Sequence, residues 1–554
     1  MTRPARPPAS AAILVFALAI GVFFLAPLGV LAWRSVSGPG GGFTLDPYAR
    51  WAASPGLRTS ALNTVTIGLA VSVLVIPLAF VMAYALERSG LRAKGLLGAI
   101  ASAPLLAPSL LPALALVYLF GRRGLFTPLF GGHTIYGPQG ILVADAVSVF
   151  PHAVIILRTA LRAADGRHYE QARLLGAGAW RRFCALTLPA ARHGLISAGC
   201  VVFALTVADV GAPKVVGGDF DVLALDIYKQ VLGQQNVDTG AVIAMLLLAP
   251  SLAAIAFERW AAARQAALVS AGSTPFTPPA DPLRDGVLAA ACGLMAVVIV
   301  GLLAVCQLAA LARLWPYDLT LTGAQYDLDK VDGGGWTAIA DSIALALTVA
   351  VVGAACAFTG AYVAERTRPA PWLRAIASLL ALAPAAVPGL ALGLAYVLFF
   401  NDPRNPLHGL YGTFAILVAA TVTHFYTVAH LTSVSALKTL DPEIEPAAAL
   451  LGRGGLAVLT RIAAPLCAPA LVEIAAYLFV NAMTTVSVVV FLYPPDVKLA
   501  AVAVLNMDDA GDSAPAAAMG MLIVYVNLIA RAGEAAALRA LGRRAGGAGA
   551  IGKA

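Results

Sequence analysis

The chain has 554 residues, 60% of them hydrophobic and 12% charged, with a formal net charge of +8. That balance excludes a water-soluble globule of this length, which would lack the polar residues to cover its surface. The charge does not point to nucleic acid either, because Lys and Arg stand in short clusters such as Arg181-Arg182 and Arg543-Arg544 beside apolar runs, without an extended basic face.

In chain order, apolar runs long enough to cross a bilayer as helix are expected near 11–33, 61–86, 97–120, 140–161, 194–212 and 240–257, then 286–312, 341–363, 373–400, 412–436, 466–492 and 514–533. The runs are continuous, whereas a closed barrel would show short alternating segments. The fold class is therefore all-α, a polytopic membrane protein of about 12 helices that satisfy their own backbones in lipid. The opening MTRPARPPAS precedes an apolar stretch reaching Trp33, too long for a signal core, and reads as a retained first span.

Alternate loops differ in basic content. The set containing both termini holds 26 Lys and Arg, the other 11, and the acidic residues divide the opposite way, 11 against 16. Both termini are expected on the cytoplasmic side. The six cysteines form no CxxC pair, and the histidines offer no HExxH and no ligand spacing on one helix face, so no metal site is assigned.

The chain is written twice. Ala83-Tyr84 with Glu87-Arg88 returns as Ala361-Tyr362 with Glu365-Arg366, an offset of 278; Pro104 and Pro108 return as Pro384 and Pro388, an offset of 280; Tyr136-Gly137 returns as Tyr411-Gly412, an offset of 275. Six spans bring the chain back to its starting side, so the repeats are parallel. The expected division is a first repeat at 1–262, a Pro-rich cytoplasmic linker at 263–284 and a second repeat at 285–554.

Between spans 4 and 5 lies the cytoplasmic stretch HYEQARLLGAGAWRRFCALTLPAA, in which Gly176 is followed thirteen residues later by Pro189. EIEPAAALLGRGGLAVLTRIAAPLCAP repeats the pattern with Gly452 and Pro465, at an offset of 276. Helix, glycine turn and helix are the expected shape, with the proline stopping or starting a helix.

These loops resemble the signature loop of ABC importer permeases, in which EAA, three residues, Gly, nine residues and Ile-x-Leu-Pro follow one another. Glu170, Ala172, Gly176 and Pro189 fit it. In the second copy Ala448, Gly452 and Pro465 fit, while Pro446 occupies the acidic slot and Glu445 stands one residue earlier. The resemblance implies a type I ABC importer permease of the bacterial inner membrane, with two six-helix domains fused. Each loop would be a coupling helix seated on one of two copies of a separate ATPase, its small alanines, Ala172, Ala447 and Ala448, allowing close approach. The chain has no Walker motif; its Gly552-Lys553 pair ends at Ala554, so ATP and Mg would be used by the partner and no cofactor is bound here. A periplasmic substrate-binding protein and membrane lipid complete the expected partners; nucleic acid is not among them.

Polar residues in spans 5 and 11 are the candidate translocation path: Thr206 and Asp209 in the first copy, Asn481, Thr484, Thr485 and Ser487 in the second. Asp145 and Glu473 read as packed polar residues. The acidic outer segments, Asp219, Asp221 and Asp226 and then Asp508, Asp509 and Asp512, suit docking of a basic partner surface. Over most of its length the chain resembles the importer branch containing ferric-iron, thiamine and 2-aminoethylphosphonate permeases, with KVVGGDFDVLALDIYKQVLGQQN and TTVSVVVFLYPPDVKLAAVAVLNMDDAGD most like the last. The competing class is an ion-coupled secondary transporter with parallel halves. It would explain the repeat but not the two Gly-to-Pro loops. No GxSxG, HExxH or paired carboxylates within spans suggest an enzyme.

Overall fold

The computed structural model describes residues 9–38, 41–130, 134–163, 165–263, 281–331, 333–367 and 370–551. Most of the expected linker, 264–280, lies outside them. Among the described residues nine single helices are long and apolar enough to cross a membrane, and three further bent pairs raise the number to twelve if each is one span.

The bends fall where the repeated prolines stand. The third span consists of Lys94–Leu106 and Leu110–Phe120 at 98°, the ninth of Pro371–Ala386 and Gly389–Phe400 at 110°. A proline disfavours the helical conformation in the residue before it. Ala107 before Pro108 accordingly takes φ −106°, ψ 145°, and Val387 before Pro388 takes φ −102°, ψ 118°. The expected continuous runs at 97–120 and 373–400 are thus broken helices. Each break is closed by one N–H reaching back three residues, Ala107 to Pro104 O and Val387 to Pro384 O, both at 3.2 Å.

Contacts divide the chain into two compact units that do not follow chain order. One unit takes the described parts of Met1–Thr44, Leu328–Asn506 and Leu522–Ala554; the other takes Leu45–Asp327 and Met507–Met521. In the first unit the helix Ala26–Ser35 packs on Gly389–Phe400, with Tyr396 Oη donating to Phe23 O at 2.6 Å and the Phe23 and Phe400 rings 6.1 Å apart. In the second unit the seventh span, Pro282–Leu311, packs on Leu110–Phe120, with Cys306 Sγ donating to Leu111 O at 3.4 Å. The opening helix of each sequence repeat therefore lies against the third span of the other repeat. A short antiparallel hairpin, Ala312–Leu314 with Asp318–Leu321, follows the seventh span.

Candidate coupling loops and the helix-break site

Both Gly-to-Pro loops fold alike. In the first, Asp165 caps the helix Gly166–Leu174 by accepting the Arg167 N–H at 3.0 Å. Gly176 then takes φ +75°, and the Ala177 N–H closes back on Ala172 O at 2.9 Å. The second has the helix Ile444–Leu450, Gly452 at φ +69° and Arg453 N–H on Ala448 O at 2.9 Å. This is the left-handed glycine cap that ends many helices, and a Cβ at either glycine would meet nothing within 4 Å. The requirement for glycine is therefore one of backbone conformation.

Beyond each cap a helix leads toward the membrane through one π-helical turn, Phe183–Thr187 and Leu459–Ala463. Proline lacks an N–H and its ring collides with the carbonyl one turn earlier, so widening the turn ahead of Pro189 and Pro465 removes the conflict. In the first copy the helix then runs unbroken over Ala179–Ala208; in the second it bends by 82° between Gly455–Leu466 and Ala468–Thr484. Pro189 thus opens the segment Leu188–Ala208 without interrupting the span.

The two caps each expose a pair of leucines, Leu174 at 88% and Leu175 at 87% in the first copy, Leu450 at 90% and Leu451 at 78% in the second. At the tip of each polar loop two large apolar side chains are held out, a patch that gains by being covered. Glu170 is exposed, and so are Ala447, Pro189 and Pro465. Ala172 is half-buried, whereas Ala448 is buried in a cluster with Phe358, Tyr362, Leu437 and Val458. The small size of Ala448 serves packing within its own unit, which corrects the expectation that it faces a partner.

The repeated Glu-Arg pair at the end of the second and eighth spans holds each loop, and sequence reasoning did not connect the two. Arg88 is buried, donates to Leu161 O at 2.5 Å and lies 4.7 Å from the centre of the Tyr169 ring. Glu87 meanwhile accepts from Arg158 and Arg162, both at 2.8 Å. In the second copy Arg366 grips Glu445 with two nitrogens at 2.7 Å and also donates to Leu440 O and Asp441 O. The acidic residue displaced by Pro446 is therefore an internal clamp, while Glu170 of the first copy stays open. Coincidence of the Glu-Arg repeat with the loop repeat was the available signal.

A second constellation forms where the broken third span meets the end of the fifth. Asp209 ends the helix Leu188–Ala208 and accepts the Ala212 N–H at 2.8 Å through Oδ2. Asp145, 1% exposed in the fourth span, which packs on the fifth, has neither carboxyl oxygen hydrogen-bonded among the described residues. Asp145 is buried, whereas Glu473, taken as packed, is exposed. Thr206 is buried with its hydroxyl unpartnered.

In the other unit Asn481 Nδ2 donates to Tyr477 O at 2.8 Å and Thr484 Oγ1 to Val480 O at 3.0 Å, both within their own helix. Thr485 ends that helix. Ser487 packs so closely on Gly389 that a Cβ there would lie 2.1 Å from its Oγ; in the first copy Gly211 meets Ser109 in the same way, at 2.4 Å. Serine and glycine have exchanged sides of one contact, so the close approach of the broken third or ninth span is kept with one hydroxyl in each copy.

On the segments after spans 5 and 11 the acids are mostly engaged inside the chain. Asp221 pairs with Lys229 at 2.5 Å and Asp509 with Lys214 at 2.9 Å. Asp226 is 6% exposed, and burial pushes its carboxyl up to about 6; burial does the same to Asp508. Asp219 is exposed and Asp512 half-buried. Among the described residues no group of three or more His, Cys, Asp or Glu is placed to hold a metal ion.

Two helical repeats, each with a glycine-capped loop and a proline-broken third span, define a polytopic membrane protein. The chain belongs to the family of binding-protein-dependent transport system inner membrane components, whose family model matches residues 75–266 and 357–540. Each match runs from the second or eighth span through the loop.

Among curated relatives, a ferric transport system permease protein of Actinobacillus pleuropneumoniae is 27% identical over 443 residues, 76% of this chain and 63% of the relative. A putative ferric transport system permease of Haemophilus influenzae is 26% identical over 72% of this chain and 64% of its own length, so the chain spans just under two thirds of both. A putative 2-aminoethylphosphonate transport system permease of Salmonella typhi is 24% identical over 257 residues, 45% of this chain and 89% of the relative.

Proposed function

We propose that this chain is the fused transmembrane permease of a binding-protein-dependent ABC importer, moving a small polar solute across the bacterial inner membrane with both termini cytoplasmic. The observation that carries this reading is the pair of matched loops, each presenting two bare leucines on a glycine-capped helix. One ATPase subunit would seat on each loop, burying Leu174-Leu175 or Leu450-Leu451. Glu170, Ala172, Gly176 and Pro189 shape the first contact, Gly452 and Pro465 the second. The contacts are unequal, because Glu170 is open to a partner and Glu445 is committed to Arg366.

The path would run past the ends of spans 5 and 11, where Thr206, Asp209, Thr485 and Ser487 leave hydroxyl or carboxyl groups near helix breaks. Hydroxyl and carboxyl groups there can replace water around a polar solute. Asn481 and Thr484, bonded to their own helix, act as shape. Co-purification with an ATPase and vanadate-sensitive uptake in proteoliposomes test the reading; uptake driven by a proton gradient alone would overturn it. The ferric and 2-aminoethylphosphonate relatives are transport system permeases, which favours the importer over an ion-coupled carrier.

For the solute, 2-aminoethylphosphonate is the first reading, supported by similarity to the phosphonate permease over nearly all of that relative. Ferric iron is the second, supported by the longer matches to ferric permeases. Calorimetry of the cognate binding protein with each solute decides between them, and binding of neither removes both.

A further inference from the structure

The unit built from Leu45–Asp327 and Met507–Met521 holds a cavity of about 750 Å³, at the mouth of the fourth span and beside the turn that follows the helix Gly211–Val216. By the charge bias of the loops this is the outer side. Its wall includes Arg122, Thr134, Tyr136, Lys214, Gly218 and Asp219. Arg122 is exposed and makes no ion pair among the described residues; its guanidinium stands 5.9 Å from the centre of the Tyr136 ring. Lys214 is held by Asp509 at 2.9 Å and lies 5.1 Å from the Tyr228 ring, so its charge is partly answered.

The backbone adds donors. Gly217 is right-handed helical at φ −65°, ψ −33°, and Gly218 is left-handed at φ +58°. That succession turns consecutive N–H groups to one side, the concavity that proteins use for anions. Among the described residues neither the Gly218 nor the Asp219 N–H has a protein acceptor. The Asp219 side chain is exposed on the same wall and is not ion-paired among the described residues. The cavity therefore offers a free guanidinium and two free amides together with one free carboxylate.

We propose that this cavity binds a small zwitterion with a tetrahedral oxyanion at one end and an ammonium at the other. Arg122 and the N–H groups of Gly218 and Asp219 take the oxyanion, and the Asp219 carboxylate takes the ammonium. A bare metal cation would face two positive side chains there, and an oxyanion without an amine would leave Asp219 unanswered. The volume is within the usual range for small-molecule sites and leaves room for bridging water. This rests on the importer reading with an aminophosphonate as solute, and gives that solute a first site on the permease itself.

The test uses the full permease with its ATPase in lipid nanodiscs, without binding protein, and reads binding by phosphorus NMR with 2-aminoethylphosphonate and with ethylphosphonate. Arg122→Gln should weaken both probes about tenfold, as expected for one charge-assisted contact, and Arg122→Lys should recover part of it. Asp219→Asn should weaken 2-aminoethylphosphonate about tenfold and leave ethylphosphonate unchanged. Both positions are exposed, so the substitutions leave packing intact. Equal binding by wild type and Arg122→Gln, or no binding by wild type at millimolar probe, overturns the site. So does an Arg122→Gln effect confined to association with the binding protein, whichever solute it carries. If the assembled wild-type importer moves ferric iron and not 2-aminoethylphosphonate, the solute reading fails while the NMR result still judges the cavity.

Discussion

Substitution of the loop glycines separates backbone conformation from packing as the basis of coupling. At Gly176 and Gly452 φ is +75° and +69°, and a Cβ would meet nothing within 4 Å. All of the cost is thus conformational. It is about 1 kcal/mol for a simple side chain in the left-handed region and about 2 kcal/mol for a β-branched one. It is smaller for asparagine, which visits that region readily. If the capped loop is the form that seats on the ATPase, Gly452→Val lowers its population by about 30-fold and Gly452→Asn by only a few-fold. The assay is solute uptake and binding-protein-stimulated ATPase activity in proteoliposomes, with thermal unfolding as control. The expected order is wild type, Asn, Ala, Val, with unfolding temperature shifted little because the cap is exposed. Wild-type uptake and stimulation in the valine variants at both positions would refute the reasoning, as would equal loss with Asn and Val.

The leucine tips give a second expectation: Leu174→Ala or Leu450→Ala should weaken association with the ATPase about tenfold, measured by pull-down titration, without lowering the unfolding temperature of the permease. Glu445→Gln should destabilise the permease by about 1–3 kcal/mol, since it strips a partner from Arg366, whereas Glu170→Gln should leave stability unchanged; denaturation of both variants checks it. The Asp226 carboxyl, lifted by burial to about 6, makes the folded state bind more protons than the unfolded between about pH 4 and 6. Stability from this group is full below that window and is lost as pH rises through 6. Asp226→Asn should flatten this decline in unfolding temperature and be the more stable form at pH 7.5.

Sequence and structure divide the account along identifiable lines. The existence of the spans was legible because lipid demands long apolar runs. The loops were legible because a left-handed cap needs glycine at a fixed place and a helix start tolerates proline. The prolines of the third and ninth spans were visible, but the bends of 98° and 110° were not, since a proline inside an apolar run is compatible with a kink or a full break. The outer acids were read as a docking surface, yet Asp221 and Asp509 are ion-paired inside the chain and burial withdraws Asp226 and Asp508. Asp145 and Asp209 were each visible, 64 residues apart, and only the packing of the fourth span on the fifth brings the two spans that carry them together.

By itself, the sequence determined an all-α membrane protein in two parallel copies, with two capped loops of one design, because hydropathy, repeat offsets and glycine positions are local properties. Tertiary structure decided which helices share a unit. The opening helix of each copy lies against the third span of the other, as Tyr396 with Phe23 and Cys306 with Leu111 record. Tertiary structure also decided that Glu445 closes on Arg366 while Glu170 stays open. An apolar helix carries no address in its composition, and an ion pair 79 residues long in sequence forms only where the folded chain brings its ends together.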